Sequence, residues 1–308
     1  MDYSSIFNQI LMLFILLIVG YTARKINIFD DKVTKGLSDI ILKITLPAMI
    51  IGSMVGNNNE NLAGQFGKIL LVSLSVYAIT FILAMVLPRL IGSRPFEKGV
   101  FQFAIMFSNV GFMGYPVTAA VFGEEGVFYA AIFNLPFNLL VFTIGIFFLS
   151  SKQGEKSKIN PKLLINPGVI AVLIGFLIFS LKIPLPRAIT GSLDLLGSVT
   201  TPMSMIVIGG LLAKVSINKI FTNYRVYLIT IFRLFLVPVV VYFVLRNFVD
   251  GVYLFGVPVL LSAMPVAANS AILAEEYKGN AELASQTVFI TTLFSVISIP
   301  LITMFFIA

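Results

Sequence analysis

Ten apolar stretches succeed one another along this chain, each near the roughly 20 residues a helix needs to cross the hydrocarbon of a bilayer. They fall at 6–23, 36–55, 67–87, 99–122, 127–149, 167–182, 190–213, 226–245, 252–274 and 284–306. A soluble fold would need a polar coat over all of them. Yet 58% of the 308 residues are hydrophobic and 11% charged, against about 25% charged in an average soluble domain. In lipid the backbone groups of such runs must bond within the chain, which reads them as helices. The expectation is an all-α integral membrane protein with ten transmembrane helices. The stretch at 36–55, with Asp39 and Lys43, and the short one at 167–182 depart furthest from the pattern.

The charge of +7 is spread over the joints and gathers on no soluble module, so nucleic acid is not an expected partner and membrane lipid is. Alternate joints hold fifteen Lys and Arg, from Arg24, Lys25, Lys32 and Lys35 through Lys152, Lys156, Lys158 and Lys162 to Lys278. The opposite joints hold four: Lys68, Lys182, Arg187 and Arg246. The positive-inside rule makes the richer side cytoplasmic, which places both termini outside a cytoplasmic membrane. The first run has no basic residue ahead of it and ends at Arg24-Lys25, the pattern of a retained span rather than a cleaved leader. With no Cys and no His, thiol nucleophiles, imidazole bases and the usual zinc and haem ligands are missing, so neither metal nor cofactor is expected. No P-loop is present for ATP-driven transport within this chain.

Sliding the chain by 155 residues pairs Gly20 with Gly175, Ile28 with Ile183 and Gly36 with Gly191. Without a gap it also pairs Asp39 with Asp194, Thr45 with Thr200 and Pro47 with Pro202. Apolar identities come cheaply in such a sequence; an Asp and a Pro in register do not. Five spans per half is an odd number, so the halves would insert in opposite orientations, the architecture of many secondary transporters. The division is 1–150 for the first five-helix repeat, 151–166 for a cytoplasmic linker and 167–308 for the second, inverted repeat.

Each half then offers one helix break. Span four carries Asn109, Gly111, Gly114 and Pro116, and span nine carries Pro265, Asn269 and Ser270. Proline deprives Phe112 and Leu261 of their helical partner, while the glycines permit unusual dihedrals and close approach. Asn109 and Asn269 must find partners in the interior, because a bare amide in hydrocarbon is costly. The breaks are expected near Gly111–Pro116 and Pro265–Asn269. A broken span exposes the N-terminus of its second half-helix, whose amides and dipole attract an anion without needing an Arg there. Asn134 and Asn138 share a face of span five and either line this cavity or pack beside it. Four charged residues in spans are candidates for gating or coupling: Asp39, Lys43, Asp194 and Arg233. Each also has a plain reading. The two acids complement a helix dipole in a first turn, Lys43 pairs with Asp39, and Arg233 snorkels to the cytoplasm.

The run Asn109-Val110-Gly111-Phe112-Met113-Gly114-Tyr115-Pro116 resembles span four of the auxin efflux carrier family. Met264-Pro265-Val266-Ala267-Ala268-Asn269, Thr201-Pro202 to Leu212, Arg233 to Pro238 and Thr45-Leu46-Pro47 are also similar to that family. The likeness covers essentially the whole chain, with the short central loop of the compact bacterial branch. It implies spans four and nine broken and crossed, and a transport domain of spans three to five and eight to ten against a scaffold of spans one, two, six and seven. It further implies a small carboxylate such as malate or malonate as substrate, elevator-like alternating access and a homodimer through the scaffold. A sodium- or bile-acid-type carrier of similar crossed-helix fold is the competing transporter, although no acid lies between Gln102 and Val121. An Asp-dependent intramembrane enzyme would need Asp39 and Asp194 together, and the topology puts them near opposite faces.

Because the chain lacks Cys, one introduced Cys is a unique topology reporter. Lys156→Cys should resist an impermeant thiol reagent in intact cells and Asn58→Cys should react; the reverse pattern would overturn the orientation.

Overall fold

The computed structural model describes residues 3–55, 62–150, 166–213 and 223–306. Asn58, Lys156 and all of the 151–166 linker except Asn166 lie outside the described residues. Within them every element is an α- or π-helix, and the sole β contact is an isolated bridge between Ser108 and Val266. In chain order the α-helices are α1 (Tyr3–Lys25), α2 (Asp31–Ile40), α3 (Leu46–Val55), α4 (Leu62–Leu90), α5 (Pro95–Met106) and α6 (Tyr115–Phe133). There follow α7 (Leu135–Leu140), α8 (Ile146–Leu149), α9 (Pro167–Ser180), α10 (Arg187–Leu212) and α11 (Tyr224–Ile231). The last are α12 (Val237–Leu245), α13 (Val252–Ser262), α14 (Ser270–Glu276) and α15 (Ala281–Phe306). Four π turns join them: π1 (Ile41–Thr45), π2 (Val110–Gly114), π3 (Val141–Gly145) and π4 (Phe232–Leu236).

Six described helices are long and apolar enough to cross a bilayer, and a bent pair, Val110–Phe137 with Val141–Leu149, makes up to seven. The apolar helices Pro167–Ser180 and Val252–Ser262 are shorter. Span four ends where Gly123 takes φ +67°, a left-handed conformation that interrupts α6 ahead of Glu124-Glu125.

Three of the π turns share a cause. π1, π2 and π4 each stop two residues before a proline: Pro47, Pro116 and Pro238. A proline ring has no N–H and strikes the carbonyl four residues back. A π turn widens the coil and passes bonding to the residue five back. Leu46 N–H accordingly donates to the Ile41 carbonyl, and Val237 N–H to that of Phe232. Pro202, 155 residues after Pro47, lies inside α10 with no such turn. The matching prolines therefore do different local work.

The chain separates into two compact units. The first comprises Met1–Leu71, Gly111–Leu135 and Ile165–Lys214; the second comprises Val72–Val110, Pro136–Leu164 and Val215–Ala308. The second holds most of spans three to five and eight to ten, but the part of span four after Val110 belongs with the first.

In the first unit α1 packs along α10 and α9 along α3. Lipid tails are as apolar as Leu, so helices gain little by hiding apolar surface from one another, and close backbone approach matters instead. Glycines provide it. A Cβ at Gly20 would overlap the Ile206 carbonyl oxygen, and one at Gly209 the Leu17 carbonyl oxygen. Gly175, 155 residues after Gly20, lies against Ile51 and Met54 of α3. The second unit uses the same device, with Gly99 against the backbone of Phe148, and adds an aromatic cluster. Phe107 lies 4.8 Å from Phe103 and 5.7 Å edge-on to Phe137, ring centre to ring centre.

Gly20→Ala and Gly209→Ala should each cost about 1–3 kcal/mol by overpacking. In detergent that lowers the thermal midpoint by roughly 5 °C. Gly64→Ala, whose new methyl meets no described atom within 4 Å beyond its chain neighbours and its own helix backbone, should leave it level or raise it.

Candidate functional site

The second unit contains a crossing of two interrupted helices. α5 ends at Met106, and Phe107 turns to extended backbone at φ −110° and ψ 113°. α13 ends at Ser262, and helix resumes only at Ser270. The two unwound segments satisfy each other: Asn109 N–H donates to the Pro265 carbonyl at 2.8 Å, and Ala267 N–H donates to the Phe107 carbonyl at 3.1 Å. Between these bonds Ser108 and Val266 face one another as an antiparallel bridge. Val266 N–H has no such partner and donates to Thr291 Oγ1 of α15 at 3.2 Å. Breaking a helix in hydrocarbon frees backbone groups at a cost of several kcal/mol each. Here the two breaks supply one another.

Arg233 completes the crossing. It lies in π4, one turn before Pro238, and is 1% exposed. Its Nε donates to the Met264 carbonyl at 3.0 Å and its Nη1 to the Ile105 carbonyl at 2.9 Å, so one guanidinium ties both broken strands. Carbonyl ends of helices carry partial negative charge, which a cation complements. Snorkelling is thus excluded, and the crossing, where the sequence reading needed no Arg, contains one. Sequence spacing gave no sign of it, since position 78, 155 residues earlier, is Ala.

The break in span four also needs correction. It falls at 107–109, ahead of Gly111–Pro116, because π2 absorbs Pro116 into the start of α6. In span nine the unwound segment 263–269 contains the expected Pro265–Asn269, but Leu261 keeps a partner: its carbonyl accepts from Met264 N–H at 3.3 Å.

Asn109, Pro265, Asn269 and Ser270 sit together with Arg233 in the second unit, whereas Gly111, Gly114 and Pro116 fall in the first. Asn109 is 4% exposed. Asn269 precedes α14 without capping it, and its buried Oδ1 and the Ser270 Oγ have no hydrogen-bond partner among the described residues. Asn134 caps α6 and is hydrogen-bonded to the Tyr115 hydroxyl, so it packs within the first unit. Asn138 lies beyond this joint in α7, and the two do not share one continuous helix. Asp39 and Lys43 form an ion pair at 2.9 Å with both side chains well exposed, as the spacing suggested. Neither Asp39 nor Asp194 stands in a first turn, which corrects the dipole reading. Asp39 closes α2, whose N-terminus is capped by Asp30, and Asp194 lies two turns into α10 beside Gly52.

One site escaped the sequence reading, which took Arg94 and Arg225 only as loop charges. Glu97 is 1% exposed; it accepts from Arg94 N–H at 2.9 Å and Asn223 Nδ2 at 2.8 Å, with Arg225 Nη1 at 3.9 Å. It lines a polar cavity of about 430 Å³ with Tyr224, Asn280 and Gln286. A Pro-Phe-Glu helix start at Pro95 was the available signal, since Glu97 closes a capping box there.

Interrupted helices that meet inside an apolar bundle recur in transporter folds. The comparison with known proteins agrees: the family described as membrane transport protein matches residues 5–303, and the chain belongs to that family, the auxin efflux carriers. An uncharacterized transporter of Methanocaldococcus jannaschii is 30% identical over 303 residues, covering 96% of both chains. One from Methanothermobacter thermautotrophicus is 26% identical over 300 residues, again 96% of both. A Rhizobium meliloti protein described provisionally as a malonate transporter is 24% identical over 310 residues, 96% of this chain and 94% of its own. This is a multi-pass membrane protein, and its family and the three relatives above are described as transporters.

Thr291→Val should leave the buried Val266 N–H without an acceptor, at about 1–3 kcal/mol. A fall of roughly 5 °C in thermal midpoint, restored by Thr291→Ser, is the expected result.

Proposed function

We propose that this chain is a secondary carrier of small carboxylates in the cytoplasmic membrane. In this reading its ten spans form two inverted five-helix repeats with both termini outside. The observation that carries it is the reciprocal bonding of the two breaks, Asn109 to Pro265 and Ala267 to Phe107. Such a crossing holds polar atoms open to a ligand inside an apolar bundle, and inverted-repeat carriers bind at that place. The contacts of Gly20 with α10 and of its repeat mate Gly175 with α3 favour the repeat, because the two pairings exchange the halves. The malonate description of the Rhizobium meliloti relative favours a carboxylate. Asn109 and Asn269 recognise it through their amides, with the Ser270 hydroxyl as a further donor from the start of α14. The second unit is the moving part of an elevator-like cycle, and a homodimer forms through the scaffold spans.

Uptake of radiolabelled malonate, malate and acetate into proteoliposomes tests this. A charge-assisted hydrogen bond contributes about 1.5–3 kcal/mol, so Asn269→Ala and Asn109→Ala should weaken uptake roughly tenfold to a hundredfold. Asn247→Ala, an exposed residue bonded only to the Phe243 carbonyl, should transport normally. Wild-type rates in both crossing variants, verified as folded, would refute the assignment.

A further inference from the structure

Arg233 holds a charge that no carboxylate among the described residues answers. Nε and Nη1 are committed to the Met264 and Ile105 carbonyls, but Nη2, equally buried, has no hydrogen-bond partner among the described residues. The ionisable side chain that interacts with it electrostatically is Tyr77 of α4. In a planar guanidinium Nη2 lies between Nε and Nη1 on the donor rim. Its free hydrogens are therefore directed between the two carbonyls that the other nitrogens hold, at the crossing itself. Burying a cation without a counter-charge is among the costliest arrangements in a protein interior. Two neutral carbonyls offset only part of that cost.

We infer that the carboxylate of the transported substrate is the counter-ion of Arg233, accepting a charge-assisted bond from Nη2 at the crossing. This rests on the carrier reading above and deepens it. The substrate needs a full negative charge, and an amide or alcohol of the same shape is rejected. Arg233 thereby has two roles, fixing the broken strands through two nitrogens and reading the substrate with the third. Lysine fills neither completely, since an ammonium has no planar fork to span two fixed carbonyls.

Thermal unfolding of the purified protein at constant ionic strength separates the possibilities, using acetate, malonate, malate and succinate as probes with acetamide and malonamide as uncharged controls. A ligand that binds only the folded protein and is present in about a hundredfold excess over its Kd should raise the midpoint on the order of 5 °C. Wild type should respond to at least one acid and to neither amide. Arg233→Gln, which keeps donors but loses the charge, should fold and respond to none. An Arg233→Gln protein stabilised by acids as strongly as wild type would overturn the inference and leave the carrier reading standing. A wild type that answers to no acid in thermal shift or uptake would sink the carrier reading and the inference with it. Where Arg233→Gln does not fold, side-chain nitrogen NMR of arginine-labelled wild type decides. The buried guanidinium of Arg233, recognised by the slow solvent exchange of its hydrogens, should shift with the active acid; an unmoved signal would refute the contact.

Discussion

A bilayer interior offers no water to a free amide or carbonyl, and this chain nevertheless unwinds two of its helices. The cost is met locally. Four extended residues around Ser108 and Val266 trade backbone bonds, Thr291 accepts the amide left over, and Arg233 takes two carbonyls. Each partner comes from a different helix: α5, α13, α15 and π4. The crossing is thus a junction on which four elements depend, and removing any one contributor leaves a buried polar group alone. That dependence explains why so polar a feature persists in so apolar a chain.

Proline enters the same reckoning. In spans two, four and eight it would collide with the preceding turn, and π1, π2 and π4 widen the coil ahead of it. The wide turn is more than a repair. π4 bears Arg233, and widening a coil changes the direction of the side chains it carries. Pro238 and Arg233 are then parts of one arrangement, with the proline's steric demand setting the backbone from which the guanidinium reaches the crossing.

Much of the fold could be read from the chain, because the period and length of apolar runs are set by lipid thickness. The interruptions were legible too, since Gly, Pro and Asn have few uses in mid-span. Their positions were less so. Pro116 marks the break of span four only indirectly, because the π turn moves the unwound residues to 107–109. Arg233 was visible as an intramembrane charge but its role was not, as only folding brings position 233 beside 105 and 264. Glu97 was hidden for a different reason. An acid next to basic loop residues looks like an ordinary solvated turn, and nothing local announces that Asn223 and Arg225 will enclose it.

The lone guanidinium has an electrical meaning. A charge displaced through the whole membrane potential exchanges about 2.3 kcal/mol for every 100 mV. If the second unit travels along the membrane normal with its site empty, Arg233 moves as an unscreened positive charge and the field does work on it. With a singly charged anion seated against it, the same journey carries no net charge. The membrane voltage would then act as a brake or a spring on the return of the unloaded carrier, while passage loaded with a monoanion runs electrically silent and passage loaded with a dicarboxylate dianion carries one net negative charge.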